Sequence, residues 1–340
     1  MEVRELLREN IRTLAPYSTA RDEYQGSLGI YLDANENPYD NGYNRYPDPH
    51  QKVLKQKLSE VKNVPVEKIF IGNGSDEPID LVFRLFCEPK RDNAVSIAPS
   101  YGMYKVAAAI NDVPMREVQL EPDFSLDADK LLATTDEHTK LLFLCSPNNP
   151  SGNCFPKETI ERILKTFQGI VVLDEAYIDF ADQPGFLSRL DEFPNLIILQ
   201  TLSKAWGMAG LRLGLAFAQP FIIETLSRVK YPYNINVVTQ KIVYDRLQTR
   251  PDTQIQTIIA ERKRVSEALK AFPLIRKIYP SDANFVLVQV DQPRQVYETL
   301  IAAGIIVRDR SRIAGCEGCL RITIGTPEEN TVLLDTLKNM

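Results

Sequence analysis

What this chain has little of narrows its chemistry before any motif is read. It carries two histidines, His50 and His138, in polar surroundings and far apart in sequence. Neither shows a metal-binding spacing, so both are expected on the surface, without a catalytic role. There are five cysteines. Cys87, Cys145 and Cys154 lie in or beside apolar runs and read as packed thiols. Cys316 and Cys319 form a C-x-x-C spacing, GCEGC. A zinc site needs about four ligands, and with no second such pair an incidental loop pair is expected. No apolar run reaches the roughly 18 residues of a spanning helix. Neither sign of charge dominates. A formal net charge of −5 leaves no electrostatic footprint for nucleic acid or an anionic membrane. The opening MEVRELLRENIRTL mixes acids and bases throughout, the pattern of neither a secretory signal nor a transit peptide. A cytoplasmic location is therefore expected.

What is present is ample core. At 340 residues the chain exceeds the usual domain of about 50–250, so two domains are expected. HQKVLKQKLSEVK reads as an amphipathic helix with Leu54, Leu58 and Val61 on one face. Six short β-rich runs follow: KIFIG, NAVSIA, KLLFLCS, GIVVLDEAY, NLIILQT and LGLAFA. Helical segments such as PIDLVFRLFC and PKETIERILKTF lie between some of them. Several runs are apolar throughout, as in a mostly parallel sheet covered on both faces. Ligands bind such sheets beyond the carboxyl ends of the strands, and that is where the polar motifs fall. From about Asn236 the pattern changes to a long helical stretch with a break near Arg250–Pro251. The strands NFVLVQV, GIIVRD and CLRITIG then follow, and a last helix capped by Thr326 and Glu329. This reads as a separate α+β domain.

Four motifs carry chemistry. GNGSDEPID (72–80) follows a strand and opens a helix, with Ser75 as a natural N-cap and amides suited to an anion; alone it equally describes a plain helix cap. CSPNNPSG (145–152) brings Asn149 to a strand end, though its residues are ordinary turn formers. VVLDEAYIDF sets Asp174 at the end of an apolar strand with Tyr177 close behind. A carboxylate there needs a partner, or it caps the next loop. LQTLSKAWGMAGLRLG (199–214) delivers Thr201, Ser203, Lys204 and Arg212. A poorly solvated lysine becomes a nucleophile toward carbonyls; the ordinary alternative is a snorkelling surface lysine. In this order an anion cradle, an amide, an acid with a tyrosine, and a lysine flanked by hydroxyls and an arginine match the needs of a phosphorylated aldehyde cofactor.

At this point the sequence resembles the fold-type I, pyridoxal-phosphate-dependent aminotransferases, on SPNNPSG, DEAYIDF and SKAWGMAGLRLG together. Within that group it is most similar to the histidinol-phosphate aminotransferase family. APYSTAR (15–21), LDANENP (32–38), NRYPDP (44–49), APSYGMY (98–104), IIVRD (305–309) and CLRITIG (319–325) carry that likeness. Trp206 stands where relatives usually have Phe or Tyr, and Ser151 where many have Thr; both keep size or chemistry.

The resemblance implies a large α/β domain with a mostly parallel seven-stranded sheet, residues 46–244. A smaller α+β domain would be formed by 245–340 with an N-terminal arm, 1–45. It implies pyridoxal 5'-phosphate as cofactor, held covalently by Lys204. Asp174 would pair with the pyridine nitrogen, Asn149 and Tyr177 with the phenolic oxygen, and Tyr101 would stack on the ring. Gly74, Ser75 and Asp76 would bind the phosphate through backbone amides, with Thr201, Ser203 and Arg212 adding to it. Tyr46 would reach that phosphate across a dimer interface, so a homodimer is implied. Histidinol phosphate and 2-oxoglutarate or glutamate would be the substrates, their anions met by Arg308 and Arg321 beneath Tyr17 and Asn37. An aromatic or broad-specificity aminotransferase, and a decarboxylase of a phosphorylated amino acid, share the cofactor residues and stay open. A binding module that has kept the fold without the chemistry is the remaining class.

Overall fold

A computed structural model describes residues 3–15, 17, 20 and 29–340 of the chain. Within the APYSTAR motif, Pro16, Ser18, Thr19 and Arg21 lie outside the described residues. The larger sheet contains β1 (Ile69–Asn73), β2 (Asn93–Ala98), β3 (Met115–Gln119), β4 (Thr139–Cys145), β5 (Ile170–Asp174), β6 (Leu196–Thr201) and β7 (Leu213–Phe217). Their order across the seven-stranded sheet is β1-β7-β6-β5-β4-β2-β3. Neighbours run parallel, except that β7 runs against both β1 and β6.

Strand periodicity builds two cores from one set of residues. Successive side chains point to opposite faces. Leu142 and Leu144 of β4 therefore join Val171 and Leu173 of β5 in one apolar cluster. Leu141, Phe143, Ile170 and Val172 join another on the opposite face. Both faces are covered by helices, which is why these strands read as continuous apolar runs. Leu6, Leu7 and Ile11 pack into the second cluster, and the Arg8 amide donates to the Leu85 carbonyl at 2.9 Å, so the start of the chain is tied to the larger sheet.

A second, four-stranded sheet follows, all antiparallel, in the order β10-β11-β9-β8. It is built from β8 (Ile275–Ile278), β9 (Phe285–Val290), β10 (Arg308–Asp309) and β11 (Cys319–Thr323). Leu320 and Ile322 of β11 pack into its own apolar cluster beside Val265, Leu333 and Leu337 from the covering helices. The intervening residue, Arg321, consequently projects from the other face. The final helix, Pro327–Lys338, opens on the expected capping box of Thr326 and Glu329.

Three strands depart from expectation. β3 is a polar edge strand in which only Val118 is buried, and β8 has no buried residue, so neither shows an apolar run. GIIVRD yields only Arg308–Asp309, because Gly304, at φ +78°, and Ile305, whose amide donates to the Leu300 carbonyl, close the preceding helix.

Candidate active site

Strand direction gathers the motifs. The parallel strands β2, β4, β5 and β6 end at one edge of the sheet, followed by Tyr101, Asn149, Tyr177 and Lys204. β1 points the same way, because it opposes β7 and β7 opposes β6; Gly74–Asp76 therefore arrive there too. β7 runs backwards, so its start, and Arg212 just before it, sits at that same edge. One pocket is lined by Ser75, Asp76, Tyr101, Asn149, Asp174, Tyr177, Thr201, Ser203, Lys204 and Arg212, together with Cys145 and Ala176.

Asp174 shares its strand face with Val172, and that face carries Tyr104. Its carboxylate accepts from the Tyr104 hydroxyl at 2.7 Å and from the Ala176 amide at 3.0 Å. Burial pushes this carboxyl up to about 6 despite both bonds. A carboxylate can accept about four hydrogen bonds, so Asp174 keeps capacity for a cationic N–H. Tyr104 escaped the sequence reading, although APSYGMY contains it; a tyrosine in an amphipathic helix reads as core until its hydroxyl is seen to have a buried partner.

At the other end, Arg212 adopts the left-handed conformation (φ +52°), and its guanidinium lies 3.6 Å from the Asp76 carboxylate. Asp76 also accepts from the Tyr101 hydroxyl at 3.0 Å. Glu77 is turned away, accepting from the Asn73 amide and from Asn234. Two details correct the expected anion cradle. The Gly74 amide donates to the Arg212 carbonyl at 2.8 Å, so it is not available to an anion. Ser75 makes no side-chain cap bond; its own backbone is already helical, at φ −70° and ψ −13°. Anion donors must come from the amides of the first helical turn, which have no intrahelical acceptor. Gly74 serves by conformation: φ is +73°, and a Cβ there would meet the Arg212 guanidinium at 2.7 Å. The Thr201 hydroxyl accepts from the Ser203 amide at 3.1 Å, which folds the lysine loop.

Asn149 links the two sheets. Its amide donates to the Tyr177 hydroxyl at 3.3 Å, and its oxygen accepts from Arg321 at 2.5 Å. Lys204 as a residue is exposed while its amine is partly enclosed, 5.8 Å from the centre of the Tyr177 ring. Burial, then the nearby Arg321, lowers its pKa below the ordinary lysine value, with Asp174 pulling the other way. Arg308 stands opposite Arg321 in the β10–β11 pairing.

The structure does not bring Tyr17, Asn37 or Tyr46 into this pocket. Tyr17 is 73% exposed and lines a separate cleft with Pro49 and His50. The Asn37 side chain accepts from the Tyr39 amide at 2.9 Å, a local turn. Tyr46 stacks on Tyr233, ring centres 4.4 Å apart. Cys316 and Cys319 are buried free thiols, packed beside Phe124 and Tyr279. Among the described residues no group of His, Cys, Asp and Glu is placed to hold a metal ion. No helix among them is long and apolar enough to cross a membrane.

Glu175, beside Asp174, is also buried. It accepts from the Phe186 amide at 2.6 Å and from Gln200 at 3.1 Å, and burial pushes its carboxyl up to about 7. Both acids hold protons to higher pH in the folded chain than at the roughly 4 of an unfolded one. Between about pH 4 and 7 the folded state thus binds more protons, and the contribution of both groups to stability falls as pH rises. Glu175→Gln removes one of the two. The Gln200 carbonyl oxygen, buried without a partner, can accept from the new amide once the Gln200 amide turns over. Thermal melts of the cofactor-free protein at pH 5 and pH 8 should then lie closer together than in wild type by about 5 °C; an equal gap would contradict the assignment.

Comparison with known proteins places this geometry. A family model described as aminotransferase class I and II matches residues 32–337. The chain belongs to that family. A histidinol-phosphate aminotransferase of Parabacteroides distasonis is 54% identical over 341 residues, covering 100% of this chain and 99% of its own length. The crystal structure of the histidinol-phosphate aminotransferase from Clostridium acetobutylicum shares the fold with a TM-score of 0.80 at 24% identity, over 87% of this chain and 90% of that one. That of the Sinorhizobium meliloti enzyme in complex with pyridoxal-5'-phosphate does so with a TM-score of 0.79 at 24% identity, over 87% and 82%. Within the class, the branch to which this chain belongs is that of the histidinol-phosphate aminotransferases.

Proposed function

We propose that this chain catalyses pyridoxal-phosphate-dependent transamination between L-histidinol phosphate and 2-oxoglutarate, giving imidazole acetol phosphate and L-glutamate in histidine biosynthesis. The carrying observation is one pocket in which an amine of lowered pKa, a buried carboxylate with spare acceptor capacity and an arginine at a helix start converge. The residues fit the cofactor. Arg212 with the first-turn amides suits its phosphate, Asp174 its ring nitrogen, Asn149 and Tyr177 its phenolic oxygen, and Lys204 its aldehyde. Bound there, pyridoxal phosphate supplies an electron-accepting ring.

The chain's own groups do the rest. Asp174 keeps the ring nitrogen protonated, because an adjacent carboxylate favours the charged form. Lys204 Nζ would hold the cofactor's aldehyde at rest and, as a free amine, would take the proton from the substrate carbon and deliver it again. Its lowered pKa supports the base role. Thr201 and Ser203 add hydroxyls at the phosphate, and Tyr101 covers the ring. Arg321 and Arg308 hold the substrate anions, bidentate guanidinium suiting both phosphate and carboxylate.

The same reading takes the protein as a cytoplasmic homodimer, in which Tyr46, Tyr17 and Asn37 serve the partner's pocket. Exposed Tyr39, Tyr43, Val237, Val238 and Ile242 supply apolar surface for that contact. It also divides the chain at 46–244 and 245–340, which leaves each sheet whole, while the arm, 1–45, has its start packed on the larger domain rather than with 245–340. The test is a side-by-side assay of histidinol phosphate, phenylalanine and threonine phosphate, with glutamate and carbon dioxide as readouts. Histidinol phosphate with 2-oxoglutarate should give the largest kcat/KM. Threonine phosphate turned over with carbon dioxide release, and histidinol phosphate refused, would overturn the substrate assignment.

A further inference from the structure

Three arginines, Arg308, Arg310 and Arg321, stand on one face of the small sheet, where Arg321 reaches Asn149 of the pocket, and one of the three has no assigned task. Arg310 follows β10 directly, and its amide donates to the Cys319 carbonyl at 2.9 Å, which fixes it against β11. Its side chain is half-buried, and its Nε is buried with no hydrogen-bond partner. The Nε of Arg321 is orphaned in the same way. Burial, then Arg321 and Arg308, holds the Arg310 pKa below its ordinary value, while Cys316 and then Tyr177 of the pocket pull it upward. Strand alternation places Arg310 on the same face of the small sheet as Arg308 and Arg321, opposite Cys319.

Other enclosed arginines have their donors filled: Arg262 by the Phe180 and Ala283 carbonyls, and two more by acids. Arg189 pairs with Glu161 and Glu192, and Arg228 with Glu224. Arg308, Arg310 and Arg321 form no ion pair among the described residues. Cations crowded together with unfilled donors are costly to keep half-buried, and an arriving anion relieves that cost. The size of the charge matters. At neutral pH a phosphate monoester carries about −1.5 to −2, while the side-chain carboxylate of glutamate carries −1. Two arginines suffice for a carboxylate. A third adds most where the anion is close to divalent and offers three oxygens.

We propose that Arg310 is a specificity-determining residue, the third arginine of a site that binds a phosphate monoester in preference to a carboxylate. This deepens the transaminase reading and rests on it. Arg310→Gln removes the charge and keeps a polar side chain, and Arg310→Lys restores the charge without the fork. Because the Arg310 side chain makes no hydrogen bond or ion pair among the described residues, both variants should melt like wild type. In Arg310→Gln, KM for histidinol phosphate should rise about 10- to 100-fold, the worth of one charge-assisted bond. KM for glutamate should rise at least tenfold less, and kcat should move less than KM. Inorganic phosphate, titrated calorimetrically and as a competitive inhibitor against glutamate, should weaken by the same factor as histidinol phosphate. Arg310→Lys should recover part of both losses.

Parallel rises in the two KM values, or no rise in either, would overturn the proposal. If wild type refuses histidinol phosphate but accepts another amine, the substrate reading fails. The phosphate competition then decides Arg310 alone: weaker inhibition in Arg310→Gln supports the proposal, and equal inhibition overturns it.

Discussion

Lys204→Ala is expected to lower turnover by at least about 10⁴-fold, at the upper end of what a positioned proton-transfer group contributes. It should also abolish the near-visible absorbance of the loaded protein and the borohydride-fixed pyridoxyl label on the 200–212 peptide. The size follows from two losses at one atom: the tether, and the base that moves the proton. The fold should be indifferent to the change, since among the described residues no hydrogen bond from the Lys204 side chain holds it; the loop is folded by Thr201 and by the Gly207 amide on the Lys204 carbonyl at 3.0 Å. A label recovered elsewhere, or turnover within tenfold of wild type, would remove the basis of the functional reading.

The second large effect is at Asp174. Asn fits the same space: its oxygen can keep the Ala176 amide while its NH2 faces the Tyr104 hydroxyl, which can accept in turn, so cofactor binding through the phosphate end should persist. What it cannot do is hold a proton on a ring nitrogen by charge. Breaking a buried ion pair costs about 3–5 kcal/mol, so kcat should fall about 10²–10³-fold or more while the protein still titrates with cofactor. A change that small in affinity and that large in rate separates an electronic role from a structural one. Near-normal kcat in Asp174→Asn would refute it.

The sequence spoke clearly wherever burial and chemistry coincided. β4, β5 and β6 are buried on both faces, so their apolar runs are continuous, and the polar residue that ends each run is conspicuous. Period two and strand direction then suffice to predict that Asp174, Asn149 and Lys204 meet. β3 and β8 stayed hidden because an exposed strand has no apolar signature. The phosphate end was legible as a motif but not in detail: nothing in GNGSDEPID says that the Gly74 amide is already committed to Arg212. Tyr104, Glu175 and Arg310 were invisible for one common reason. Their significance lies in partners distant along the chain, or in having none, and a linear string records neither. The implied place of Tyr46 depends on a second copy, which one chain cannot supply, and Tyr17 and Asn37 belong to an arm that in this chain packs away from Arg308 and Arg321.

The contact of Arg321 with Asn149 has a further consequence. It ties a strand of the smaller sheet to a loop of the larger one through a single shared oxygen. An incoming anion that claims both edges of the guanidinium has to compete for that oxygen's donor. As the contact loosens, the amide loses the polarisation that a cation on its oxygen gives, and its N–H toward Tyr177 becomes a weaker donor. News of an arriving substrate thus travels to the reacting end of the pocket along one side chain.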